Sequence, residues 1–254
     1  MRVHLFVTCL GDTFYPRAAI ACVRLLEYFG CEVVFDPRQT CCGQPFRNNG
    51  HDAEARGLAQ RMLELFTGDD PVVTPSASCA AMVREQFPLL FADEPATQQQ
   101  AEQLASRTFE VIEFLTTRPG FEPAAIPAGS GAAQVVTVHE SCHQRGIGRF
   151  GQVTALLGRM GGVEVRTMKD VEQCCGFGGT FAAKFADVSG PIAAEKADAI
   201  AATGAPTVVS SDAGCTLNIA GTCARRGVRV RFCHAAELLA ERLGLLDPED
   251  DGDG

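Results

Sequence analysis

The chain has no long hydrophobic run. Its apolar stretches are short and interrupted, and none approaches the roughly 18 to 20 residues that a membrane helix needs, so no transmembrane segment is expected. It has no excess of positive charge either: 22 Lys and Arg stand against 31 Asp and Glu, for a net charge of −9. No basic patch is interleaved with aromatics, which argues against nucleic acid as a partner. Residues 1–10 carry one Arg and one His and run into Gly11 and Asp12. That is too short and too polar for a secretory h-region, and the expected compartment is the cytoplasm. There is no nicotinamide or flavin fingerprint. Gly176-Phe-Gly-Gly179 lacks the Lys-Ser/Thr of a phosphate loop and the spacing of a dinucleotide motif. It reads instead as room for backbone beside a metal.

The remaining composition is globular, with 46% hydrophobic and 21% charged residues in 254. That length suits one large domain or two ordinary ones. The unusual number is twelve cysteines. In a reducing compartment these argue against a disulfide framework and for metal or redox chemistry.

Their spacing is duplicated. The first half reads Cys9, then Cys41-Cys42-Gly43, then Ser76-Ala-Ser-Cys79; the second reads Cys142, then Cys174-Cys175-Gly176, then Asp212-Ala-Gly-Cys215. Cys9 to Cys41 and Cys142 to Cys174 are both 32 residues; Cys42 to Cys79 is 37 and Cys175 to Cys215 is 40. Other segments repeat in step. β-rich runs at 3–8 and 134–139 each lead into a cysteine, and helical periodicity follows at about 14–29 and 148–160. Short strands (32–35; 163–166), second helices (51–66; 189–203) and third strands (71–74; 207–210) come next. A helix is expected over 98–116, with a shorter counterpart at 235–243. The predicted organisation is a first repeat at 1–118, a Pro/Gly-rich linker at 119–133, a second repeat at 134–246 and a disordered acidic tail at 247–254.

Alternating strands and helices predict an α/β fold of two tandem pseudo-symmetric repeats, each a small, mostly parallel sheet flanked by helices. Ligands of such sheets gather at the carboxyl ends of the strands. Cys9, Cys41, Cys42 and Cys79 all fall there, as do Cys142, Cys174, Cys175 and Cys215. Gly43 and Gly176 let the backbone curl so that adjacent cysteines reach one centre, and let N–H groups approach sulfur. Four thiolates per half suit zinc or an iron–sulfur cluster. Ligands scattered over three loops, with an adjacent pair among them, favour the cluster.

Beside the thiols, His139 and His143 flank Cys142; each either meets a cluster sulfur or a proton, or is a strand-end histidine bonded to a carbonyl. Arg145 is a candidate to offset cluster charge or bind a carboxylate. Cys22, Cys31, Cys223 and Cys233 read as small core hydrophobes.

The stretches Val7-Thr-Cys-Leu10, Cys41-Cys-Gly-Gln-Pro45, Ser76-Ala-Ser-Cys79, His139-Glu-Ser-Cys-His143, Cys174-Cys-Gly-Phe-Gly-Gly179 and Asp212-Ala-Gly-Cys215 resemble the cysteine-rich "CCG" domain family. That family includes the cysteine-rich component of heterodisulfide reductase and the iron–sulfur subunit of glycolate oxidase. Over nearly the whole chain the sequence is most similar to the lactate-utilisation group within it. The resemblance implies a component that works with two other proteins, one of them a further iron–sulfur protein, to oxidise L-lactate to pyruvate. It implies iron–sulfur centres, of 4Fe-4S type and up to one per repeat, with zinc as the alternative. The fullest family pattern ends each repeat in C-x-x-C, and here Ser76 and Asp212 replace the extra cysteines. Five-cysteine ligation is thereby excluded and heterodisulfide chemistry disfavoured. A four-cysteine cluster then has Ser76 or Asp212 as an oxygen ligand or leaves an open iron; for Asp212 the commoner role is a helix cap.

Overall fold

Two four-stranded parallel sheets form the framework of the computed structural model, which describes residues 1–118, 120–127 and 133–247. The first contains β1 (Arg2–Leu5), β2 (Glu32–Phe35), β3 (Val72–Thr74) and β4 (Thr108–Glu110), in the order β2-β1-β3-β4. The second contains β5 (Gln134–His139), β6 (Val163–Val165), β7 (Thr207–Ser210) and β8 (Arg231–His234), in the matching order β6-β5-β7-β8. Every pairing is parallel. Parallel neighbours need crossover connections, and helices supply them. The α/β architecture and the tandem repeat are as the cysteine spacing predicts.

One predicted element is wrong. The helix expected over 98–116 is a helix at Pro95–Ser106, then β4, then a second helix at Val111–Thr116. Phe109, Ile112 and Leu115 keep a helical spacing straight through the break, while a three-residue strand is too short to display period-two alternation. Glu110 ends the strand and caps the next helix, its Oε2 accepting from Ile112 N at 2.8 Å and Glu113 N at 3.1 Å. β8 and His234, which caps the helix Ala235–Arg242, occupy the same place in the second half.

Alternation along the strands divides the interior into three layers. Val3, Leu5 and Val73 join Val136, Val138 and Val209 in one core shared by both halves, with Leu25, Ile112, Leu157 and Leu239. The opposite faces build separate clusters: Phe6, Met62 and Val72 with Cys42 and Cys79 in the first half, and Ile200, Val208 and Ile219 with Cys175 and Cys215 in the second. The halves are also joined by a buried carboxylate. Glu113, whose side chain is 1% exposed, receives Arg84 from its own half and Arg149 from the other at 2.9 and 2.6 Å.

The predicted linker contains a short helical turn at Pro123–Ala125, and Phe121 and Ile126 are buried in the shared core. Residues 119 and 128–132 of it lie outside the described residues, as does the predicted tail beyond Asp247.

Candidate metal centre

Each half brings its four cysteines together after the ends of its strands. In the first, Cys9 opens the short helix after β1, Cys41 and Cys42 sit in the loop after β2, and Cys79 lies in the helix after β3. Cys142, the Cys174-Cys175 pair and Cys215 have the same placement in the second. Sγ of Cys42 is 3.3 Å from that of Cys79, and Sγ of Cys175 is 3.1 Å from that of Cys215. Cys41 is hydrogen-bonded to Cys42 and Cys9, and Cys174 to Cys142 and Cys175. Eight thiols thus form two closed sets of four.

The first cysteine of each adjacent pair is the anionic one. Hydrogen bonds from Cys42 and Cys9 hold the Cys41 thiol down at about 3, helped by Gly43 N–H, 3.4 Å from its sulfur. Bonds from Cys142 and Cys175 hold Cys174 at about 2, with Gly176 N–H at 3.3 Å. Their donors move the other way: the bond to Cys41 and burial raise Cys9, and the bond to Cys174 and burial raise Cys142.

The turn that makes this possible needs glycine. Gly43 and Gly176 have φ of 85° and 80°, in the left-handed region. A Cβ at Gly43 would stand 3.3 Å from the Ala55 carbonyl oxygen, and one at Gly176 only 2.8 Å from that of Ser189.

The polar candidates are placed differently from one another. Ser76 caps the helix Ala77–Ala81, its hydroxyl accepting from Cys79 N at 3.2 Å. Asp212 caps the helix Ala213–Arg225 through Gly214 N at 3.2 Å. Its second oxygen accepts from Ser78 N of the first half at 2.9 Å. His143 also crosses between halves. Gln44 Nε2, which can only donate, is 3.0 Å from His143 Nε2, so Nδ1 carries the ring proton and faces Cys142 Sγ at 3.7 Å. His139 is 1% exposed, and neither of its ring nitrogens has a hydrogen-bond partner among the described residues. One of those nitrogens and the Sγ atoms of Cys175 and Cys215 lie within 4.8 Å of one another. Burial and the nearby Lys196 hold its pKa down at about 3, so the ring is neutral.

Arg145 points away, toward Glu172 at 3.3 Å on the surface. Cys22, Cys31 and Cys233 are packed in the shared core and Cys223 in the second outer cluster.

The two sets share one cleft, a feature that equivalence of the halves did not reveal. All eight cysteines line a cavity of about 120 Å³ between the halves, together with Gln44, His143, Phe177, Asp212 and Gly214. The ends of β3 and β7 abut there, with Ala77 N donating to Ser211 O at 3.1 Å. Phe177 lies so close to Gly214 that a Cβ would be 2.8 Å from its ring. A Phe after a Cys-Cys-Gly carries no sequence signal for this; only its place in the cleft does.

The donor set fits a thiophilic metal centre: sulfur in sets of four, two of the thiols already ionised, and a buried imidazole with no hydrogen-bond partner among the described residues. Comparison with known proteins agrees. The cysteine-rich domain family, CCG, matches residues 3–84 and again 136–220. Lactate utilization protein A of Macrococcus caseolyticus is 42% identical over 242 residues, 94% of this chain and 96% of that protein. Lactate utilization protein A of Bacillus cereus strain G9842 is 39% identical over 243 residues, 95% of this chain and all of that protein. The second such protein of Bacillus mycoides, Lactate utilization protein A 2, is 39% identical with the same coverage. No helix among the described residues is long and apolar enough to cross a membrane. Two facing four-cysteine sets on duplicated folds, and similarity along nearly the whole length, place the chain in the CCG cysteine-rich domain family, with the domain present twice, alongside the lactate utilization A proteins.

Proposed function

We propose that the chain is the electron-transfer subunit of a multi-subunit oxidoreductase that converts L-lactate, or a similar 2-hydroxy acid, to the 2-oxo acid. The observation that carries this is the shared cleft, where two sets of four thiols from opposite halves face each other. Bound there, one iron–sulfur cluster of 4Fe-4S type per half supplies one-electron redox chemistry.

Cys9, Cys41, Cys42 and Cys79 hold the first cluster, and Cys142, Cys174, Cys175 and Cys215 the second. Gly43 and Gly176 direct backbone N–H groups at sulfur, which stabilises the reduced state. His143 donates toward Cys142 and ties the second set to Gln44 of the first half. Ser76 and Asp212 act as helix caps, which hold Cys79 and Cys215 in place. With those two positions so occupied, the five-cysteine chemistry of a heterodisulfide reductase has no residues to carry it. Oxidation of the hydroxy acid falls to partner proteins, among them a further iron–sulfur protein, consistent with a cytoplasmic complex.

The test is anaerobic purification followed by assay of iron, sulfide and zinc and by electron paramagnetic resonance. Iron and sulfide in near-equal amounts, with a reducible signal lost on Cys42→Ser or Cys175→Ser, are expected. Zinc at about two per chain and no signal would make the protein a metal-stabilised binding scaffold instead.

A further inference from the structure

The halves surround matching thiols with different residues. Phe6 and His139 each precede the first cysteine of their half by three positions and sit at matching places at the end of β1 and of β5. The missing Cβ of Gly43 faces Ala55 O and Leu58, and that of Gly176 faces Ser189 O and Ile192. These contacts register the helix Asp52–Leu65 on the helix Ala186–Thr203, and Met62 then falls at the place of Lys196. All four side chains are 1% exposed or less. Phe6 and Met62 lie with Cys42 and Cys79 in one buried cluster as ordinary hydrophobes. The second half has an imidazole and an ammonium in their stead.

Among the described residues the imidazole has no hydrogen-bond partner and the ammonium no carboxylate partner. His139 has no hydrogen-bond partner among the described residues and lies within 4.8 Å of Cys175 and Cys215 sulfur. Lys196 Nζ donates to the carbonyl oxygens of Asp170 at 3.2 Å and Val171 at 3.4 Å and lies 3.7 Å from Met168 Sδ. No carboxylate pairs with it within 4 Å among the described residues. Burial lowers the Lys196 pKa, and the negative groups that oppose this are Cys175 and Cys174 first, then Asp170 and Cys215. A buried cation favours a nearby anion, and three of the four negative groups acting on Lys196 are thiols of this centre. The first half contains no lysine anywhere.

We infer that His139 and Lys196 make the second centre the more easily reduced of the pair, so that a single electron given to the protein resides there. The inference rests on reading both sites as iron–sulfur centres. Net charge and hydrogen bonds to sulfur set the potential of such a centre. An ammonium and an imidazole N–H both favour added negative charge, whereas a phenyl ring and a thioether do not. The first electron reduces the second centre by one and leaves the first oxidised; only a further electron reduces the first.

A reductive titration of the full chain with dithionite, followed by electron paramagnetic resonance, tests this. Two waves are expected. Lys196→Met and His139→Phe, which install the residues of the first half, are expected to shift the upper wave down toward the lower one with iron and sulfide unchanged. His139→Gln, which keeps an N–H, retains most of the separation. The reciprocal Met62→Lys, made where folding of the other variants fails, is expected to raise the lower wave. Coincident waves in the parent protein, or an upper wave unmoved by Lys196→Met, would overturn the inference. Loss of half the iron in both His139 variants would also overturn it, by making His139 a ligand. Those results leave the electron-transfer reading intact, whereas a colourless zinc protein removes both.

Discussion

Cys41 and Cys174 differ from Cys9, Cys42, Cys142, Cys175 and Cys215 in the proton they do not hold. A thiol at its ordinary pKa of 9.0 is only about 0.1% ionised at pH 6, while these two are held at about 3 and about 2. In metal-free protein at pH 6, iodoacetamide should therefore alkylate Cys41 and Cys174 at least about ten times faster than Cys42 and Cys175, as read by peptide mass spectrometry. Cys175→Ala removes one donor and should slow the reaction at Cys174; an unchanged rate there would mean that the bond does not ionise it. The two glycines differ in what surrounds them. Alanine at either position costs about 1–2 kcal/mol in left-handed backbone. Only Gly176→Ala adds a backbone contact at 2.8 Å, so it should lower the thermal midpoint more than Gly43→Ala does. The eight cysteines and both glycines were legible because spacing repeats. The isolation of His139 was not, since His-Glu-Ser-Cys says nothing of which polar atoms find partners.

Among the elements, the last strand of each half escaped the sequence reading. β4 has three residues and β8 four, each followed at once by a helix whose apolar spacing absorbs them. What marks the boundary is a side chain that ends the strand and caps the helix: the buried Glu110 in one half, the half-buried His234 in the other. Burial raises Glu110 to about 8 from 4.5, and its Oε1 has no partner among the described residues. Burial lowers His234 to about 4 from 6.5. The native state therefore holds a proton at Glu110 that the unfolded chain has lost between pH 4.5 and 8, and stability falls as pH rises through that window. His234 acts oppositely, costing stability as pH falls from 6.5 toward 4, so the two offset each other between 4.5 and 6.5. Of these two, only Glu110 contributes above 6.5. Relative to Glu110→Gln, which keeps the accepting oxygen, the parent protein should lose about 1.4 kcal/mol of stability per pH unit from 6.5 to 8. Urea unfolding at pH 6.5, 7.2 and 8 measures it; equal slopes in the two proteins would place the proton elsewhere.

At the scale of the whole molecule, the halves unfold together if the shared core governs them. The helix Pro16–Tyr28 of the first half packs against Ala235–Arg242 of the second, and Leu25 and Leu239 are both fully buried. Leu239→Ala should cost about 2–5 kcal/mol. Calorimetry should show one transition, and amides of the helix Pro16–Tyr28 should exchange faster although the change lies in the other half. Two separate transitions would show that the repeats are independent. The sequence reading found each half's thiols but not that they face one another. The contacts that turn them inward, such as Gln44 with His143 and Ser78 with Asp212, use residue types found on any surface. That inward arrangement bears on why one chain carries both repeats. Two copies of a single repeat could close the same cleft about a two-fold axis, but every substitution would then appear on both sides of it. Joining the copies covalently removes that rule of identity, and the pairs Phe6/His139 and Met62/Lys196 are differences that a symmetric dimer could never hold.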